Sequence, residues 1–141
     1  MDLYFSCSLT GGRNDERTYV RMVEYLLARG DSVLTAHLAY PDVMRAERVV
    51  DPAEVFQRDI AWLEICDAVV AEVSTPSHGV GYEIAYALER GKPVLCCYEE
   101  GRSISKMLLG NDKAGMHVQA YHSVEQALEQ IEAFLRELEE A

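Results

Sequence analysis

Short segments rich in apolar and β-branched residues alternate with stretches of helical periodicity along the chain, and this alternation restricts the fold more than any other feature. Strands are expected at Asp2 to Ser8, Ser32 to Ala36, Ala68 to Val73, Lys92 to Tyr98 and His117 to Tyr121, with helical patterns between them. Strands joined in sequence by helices make a parallel sheet with right-handed crossovers, and five of them suit the flavodoxin-like doubly wound order. The expected architecture is α/β, a flavodoxin-like (Rossmann-like) three-layer sandwich with a five-stranded parallel sheet. A chain of 141 residues, 49% of them hydrophobic, supplies the core of one domain spanning 1–141. The run from Ala68 to Val73 reads as apolar enough for burial on both faces.

The helices carry their own signals. Tyr19, Met22, Val23, Leu26 and Leu27 recur at helical spacing between about Asp15 and Arg29, and Gly30 suits a left-handed close. Asp51, Pro52 and Glu54 make a strong start for a helix ending near Cys66: an aspartate to cap, a proline for the first position, a glutamate three residues on. Gly79 to Arg90 and Ser103 to Leu109 read as helices. Ser123 caps the last one, which carries Val124, Leu128, Ile131, Leu135 and Leu138 on one face. His37 to Val50 reads as a long irregular segment, a kind that is often functional.

In such a sheet a ligand sits beyond the carboxyl ends of the strands, here at Ser8 to Arg13, His37 and Ser74 to Gly81. Composition narrows what that ligand is. The formal charge is −11, with many of the acids between Glu125 and Glu140, so a nucleic acid polymer is repelled. No apolar run approaches the roughly 20 residues of a membrane span, and the start of the chain lacks a secretion signal, so a cytoplasmic protein is expected. Cys7, Cys66, Cys96 and Cys97 show no Cys-x-x-Cys spacing, Cys96 and Cys97 point to opposite faces of a strand, and the four histidines form no ligand pair with them. No metal and no cofactor are expected.

Two carboxylates stand apart from ordinary surface acids. The helical neighbours of Asp59 are Val55, Phe56, Trp62 and Leu63, all apolar, which places it off a solvated face and raises its pKa, as a proton donor near neutral pH requires. A buried aspartate satisfied by Arg58 or a backbone group is the structural alternative. Glu83 lies in the first turns of the helix opened by Gly79-Val80-Gly81, where the dipole favours an ionised nucleophile or stabiliser. A glutamate there also serves simply to complement the dipole. Ser74-Thr75-Pro76-Ser77-His78-Gly79 ends at a helix start and offers amides and hydroxyls to an anion, and Ser8-Leu9-Thr10-Gly11-Gly12-Arg13 adds flexible backbone and an arginine. Neither has the spacing of a P-loop or a dinucleotide fingerprint, and either serves equally as a plain turn. Tyr4 reads as core, with a hydroxyl able to reach the strand end.

Tyr4-Phe5-Ser6-Cys7-Ser8-Leu9-Thr10-Gly11-Gly12-Arg13, Asp59-Ile60-Ala61-Trp62-Leu63 and Ser77-His78-Gly79-Val80-Gly81-Tyr82-Glu83 together resemble the 2′-deoxynucleoside 5′-phosphate N-hydrolases of the nucleoside 2-deoxyribosyltransferase superfamily. The resemblance implies Glu83 as nucleophile at the anomeric carbon, Asp59 as proton donor to the departing base, and Tyr4 as the residue orienting the nucleophile. By analogy with retaining glycosidases the two carboxyl groups should stand about 5 Å apart. It further implies that Ser8, Leu9, Thr10, Gly11, Gly12 and Arg13, preceded by Cys7, hold the 5′-phosphate with Ser77 and Gly79, and that His37 lines the pocket. Ser105, with Met107 beside it, corresponds to a segment that a neighbouring subunit lends to the site, so a homodimer is implied. The family motif has glycine and arginine where this chain has Cys7 and Thr10, so one phosphate contact is lost or taken over by Arg13, and a nucleoside or a different nucleotide stays open as the substrate.

The implied partner is thus a small deoxynucleotide, with neither a nucleic acid polymer nor a membrane. Two other readings stand beside hydrolysis. A deoxyribosyltransferase would pass the same covalent sugar to a second base, and a non-catalytic nucleotide-binding module would use Asp59 and Glu83 structurally.

Overall fold

The computed structural model describes residues 1–9, 12 and 14–141. Strands β1 (Asp2–Ser6), β2 (Ser32–Val33), β3 (Ala68–Glu72), β4 (Val94–Glu99) and β5 (Met116–Tyr121) alternate with helices α1 (Glu16–Ala28), α2 (Val43–Arg48), α3 (Pro52–Ile65), α4 (His78–Glu89), α5 (Lys106–Leu109) and α6 (Val124–Glu140). Every strand pair is parallel, and the order is β2-β1-β3-β4-β5, the flavodoxin-like arrangement expected from the alternation.

The period of two along the strands sorts their side chains into two cores. Leu3, Phe5, Val70, Leu95 and Cys97 pack with Met22 and Leu26 of α1 and Ile131 and Leu135 of α6. Tyr4, Val69, Ala71, Val73 and Cys96 pack with Leu63 of α3 and Ile84 and Leu88 of α4. Cys96 and Cys97 therefore face opposite sides, and the four cysteines are free and buried. The caps follow the sequence signals. Asp51 Oδ1 accepts from the Ala53 amide at 2.9 Å, Ser123 Oγ accepts from the Gln126 amide at 3.2 Å, and Gly30 takes φ 94° after α1.

The structure departs from the expected elements in three places. β2 stops at Val33 because Thr35 replaces the ladder with its side chain: Oγ1 accepts from the Phe5 amide at 2.9 Å and donates to the Phe5 carbonyl at 2.6 Å. The segment from His37 to Val50 is ordered into a 3₁₀ turn over Ala36–Ala39 followed by α2. The third difference concerns Glu72, which interrupts the apolar run of β3 and is fully buried. Its carboxylate accepts from the Ser74 amide at 2.6 Å, the Ser74 hydroxyl at 2.9 Å and the Tyr121 hydroxyl, as a carboxylate in the interior must.

Candidate active site

Parallel strands aim their carboxyl ends at one edge of the sheet, and the loops leaving β1 and β3 meet there. A Cβ on Gly12 would lie 3.6 Å from Cγ2 of Thr75, which shows how closely the two loops approach. Gly12 has φ 129°, a conformation side chains disfavour. Thr10, Gly11 and Arg13 lie outside the described residues. Ser8 is fully buried at the end of β1, and Leu9 reaches the cavity beside it. Cys7 is buried on the α1 face, its thiol 3.7 Å from the Leu38 carbonyl, so only its backbone is available to a ligand across the sheet.

On the opposite face, α3 and α4 enclose a cavity of about 460 Å³ lined by both Asp59 and Glu83. Gly79 and Leu9 lie at the same cavity, and Val55, Phe56 and Tyr82 contribute to its apolar wall. A Cβ on Gly79 would stand 3.6 Å from Glu83 Oε1 and 3.9 Å from Ser77 Oγ, so the absence of a side chain keeps the approach to the carboxylate open. Ser77 caps α4 by accepting from the Val80 amide at 3.4 Å.

β1 supplies the floor beneath Glu83. Tyr4 and Ser6 are two residues apart and emerge on the same face. The Ser6 hydroxyl donates to Glu83 Oε2 at 3.4 Å. The Tyr4 hydroxyl is buried near Glu83 without a hydrogen bond of good geometry among the described residues, and burial with the charges of Glu83 and Asp59 keeps the phenol protonated. Burial pushes the Glu83 carboxyl up to about 7, with the Asp59 charge adding to the rise and Tyr4 and Ser6 opposing it. Burial thus works against the ionised form that a helix start favours.

Asp59 is also raised by burial, as its apolar neighbours implied, while Arg58 works against the rise. Arg58 Nε lies 2.9 Å from Asp59 Oδ1, Arg58 Nη1 lies 3.0 Å from Glu47 Oε1, and the guanidinium carbon stands 5.0 Å from the centroid of the Trp62 ring. His37 does not line the cavity itself. Its ring packs against Trp62 at 5.7 Å, and its Nε2 lies 3.5 Å from Glu47 Oε1, so it touches the site through Glu47. Ser105 and Met107 lie away from Asp59 and Glu83, lining with Ser77 a second cavity of about 510 Å³ on the α5 side of α4. Among the described residues no group of three or more His, Cys, Asp or Glu side chains is arranged to hold a metal.

Sequence reasoning missed Ser6 and Glu47. The alternation from Tyr4 carries a signal for Ser6. Glu47 is on a helix that lacks a side-chain cap, in a segment whose sequence carries no helical signal.

The same fold recurs in the Clostridium botulinum CMP N-glycosidase, with a TM-score of 0.74 at 16% identity over 95% of this chain and 99% of that one. A Thermofilum pendens protein bearing the name 2′-deoxynucleoside 5′-phosphate N-hydrolase 1 is 42% identical over 137 residues, 96% of this chain and 95% of its own. The Mus musculus 5-hydroxymethyl-dUMP N-hydrolase is 43% identical over 112 residues, 77% of this chain and 64% of its own. The family model for nucleoside 2-deoxyribosyltransferase matches residues 3–130, a span that holds every element from β1 into α6, and the chain belongs to that family.

Proposed function

We propose that this protein is an N-glycosidase that hydrolyses 2′-deoxynucleoside 5′-monophosphates to the free base and 2-deoxyribose 5-phosphate. The observation that carries the reading is the pair of raised carboxyls, Glu83 and Asp59, on two helices facing one largely apolar cavity. The names of the relatives support the bond cleaved and the class of substrate.

Glu83 Oε attacks C1′ of the sugar as the C1′–N bond breaks, and Asp59 gives its proton to the departing base. Water then attacks C1′, the ester to Glu83 breaks, and the Asp59 carboxylate takes the water's proton, so one nucleotide and one water give one base and one sugar phosphate. A glutamate with a pKa near 7 is a stronger base than a solvated carboxylate, and the positive charge developing at C1′ favours its ionised form in the transition state. A deoxy sugar is the easier substrate because a 2′-hydroxyl withdraws electrons from that developing cation. Tyr4 orients the nucleophile, and the apolar wall formed by Val55, Phe56 and Tyr82 receives the base.

The amides and hydroxyls of Ser8, Ser77 and Gly79 at the start of α4 receive the 5′-phosphate, with Arg13 of the first loop. Ser105 and Met107 serve the site of a second copy: Met107 is 81% exposed on the α5 side, and a homodimer would bring the pair to a neighbouring cavity. The family name favours one alternative, transfer of the sugar to a second base.

Chromatography of deoxynucleoside and ribonucleoside 5′-monophosphates, and of the nucleosides, incubated without any acceptor base tests the reading. Free base from the deoxynucleotides, lost in Glu83→Ala, is expected. Release only when an acceptor base is added would make the protein a transferase. Binding without any release would make it a nucleotide-binding module.

A further inference from the structure

The Arg58 guanidinium is divided between two carboxylates. Its Nε is 2.9 Å from Asp59 Oδ1 and its Nη1 is 3.0 Å from Glu47 Oε1, while Nη2 is buried without a hydrogen-bond partner among the described residues. The position of the cation is fixed from below by Trp62, with the guanidinium carbon 5.0 Å from the ring centroid. Glu47 comes from α2 and is largely covered, with 12% of its side chain exposed. The same Oε1 lies 3.5 Å from His37 Nε2, and His37 in turn packs on Trp62.

A cation beside Asp59 stabilises the ionised carboxylate and so opposes the hydrolysis proposed above, in which Asp59 starts the reaction holding a proton. The structure thus contains an obstacle to its own proton donor and, one residue further away, the group that offsets it. We propose that Glu47 is a positioning residue: by sharing Arg58 and adding a second negative charge near Asp59, it keeps the guanidinium from claiming Asp59 completely and lets Asp59 carry its proton to the leaving base.

The charged and titratable groups that act on Asp59 fit this balance. Arg58 on its own helix and His37 from the 3₁₀ turn favour the ionised form, and Glu47 from α2 disfavours it. Glu83 of α4 lines the same cavity and is itself raised by the Asp59 charge, and Tyr4 of β1 is buried beneath both. Asp59 and Glu83 therefore titrate as a pair, and Glu47 acts on the pair from the Asp59 side.

The inference rests on Asp59 being the proton donor, and Glu47→Gln tests it with the shape of the side chain preserved. Removing the negative charge leaves Arg58 to Asp59, so Asp59 releases its proton at lower pH. The limb of the kcat/KM profile that Asp59 sets should move to lower pH while the limb that Glu83 sets stays in place. In an Arg58→Met background only the direct effect of the Glu47 charge on Asp59 remains, so the same substitution should move the limb less. Limbs that both stay in place would overturn the inference.

A second readout keeps this separable from the hydrolase reading itself. The carboxyl carbon of Asp59, assigned in labelled, ligand-free protein by its disappearance in Asp59→Asn, titrates whether or not the chain releases a base. A midpoint that falls in Glu47→Gln supports the linkage even for a protein that hydrolyses nothing. A midpoint that stays or rises refutes it.

Discussion

The hydroxyl of Ser6, at the carboxyl end of β1, donates to Oε2 of Glu83 on α4 across 3.4 Å, joining residues 77 positions apart in the chain. The bond favours the ionised glutamate against burial. Ser6→Ala removes it, so the Glu83 pKa should rise further and the limb of kcat/KM that Glu83 sets should move to higher pH. The pH dependence of base release measures this. A profile unchanged by the substitution would separate Ser6 from the titration of Glu83.

The buried Glu83 also sets a stability test. Its folded-state pKa is raised from the usual 4.5 to about 7, so between these values the folded chain binds more protons than the unfolded chain. Stability is therefore lost as pH rises through that window, and above pH 7 the ionised side chain costs roughly 3 kcal/mol. Glu83→Gln removes the titration. Urea unfolding should find the variant's stability relative to the parent higher at pH 8 than at pH 5 by about 2–3 kcal/mol. A difference independent of pH would mean that the carboxyl is solvated.

At the carboxyl edge of the sheet Asp15 ties three loops together. Its Oδ2 accepts from the Thr75 hydroxyl at 2.9 Å, and its Oδ1 lies 2.7 Å from Nη2 of Arg102, in the loop that leads to Ser105. Asp15 is buried while Arg102 is one-third exposed, so Arg102→Ala should cost about 1–2 kcal/mol, less than loss of a wholly buried pair. The larger expected effect is on substrate. If these loops hold the 5′-phosphate, KM for a nucleotide rises while kcat and the binding of the matching nucleoside change little. Steady-state kinetics on the two substrates reads the difference, and equal losses on both would detach the Asp15 node from phosphate binding.

The layers and strand order were legible because strands reveal themselves by apolar runs and helices by period and caps: Asp51 and Ser123 each accept the amide bond their positions implied. Asp59 was legible for the same reason, since apolar residues at helical spacing around one carboxylate leave it no solvated face. Long-range balances were not. Nothing local in the sequence says that Thr35 will end β2 by bonding Phe5, or that Glu72 will find Ser74 and Tyr121 inside the core. The opposed effects of dipole and burial on Glu83 depend on how α4 docks over β1, and sequence neighbours do not report that docking. Glu47 was hidden because α2 is short and has no side-chain cap to announce it.

Gly79 separates chemistry from folding most cleanly. It sits in the first turn of α4 and is not among the glycines of positive φ, and an added Cβ would meet Glu83 Oε1 at 3.6 Å and Ser77 Oγ at 3.9 Å, both ordinary contacts. Gly79→Ala should therefore fold with its stability unchanged to within about 1 kcal/mol, helped by the better helix propensity of alanine. The methyl group would occupy space beside Glu83 that the proposed reaction gives to the sugar, and a displacement of that sugar on the order of 1 Å would cost up to about a hundredfold in rate. The expected result is a parental melting temperature together with base release reduced at least about tenfold. Full activity in a folded Gly79→Ala variant would mean that the sugar reaches Glu83 from another direction, and would move the phosphate site away from the start of α4.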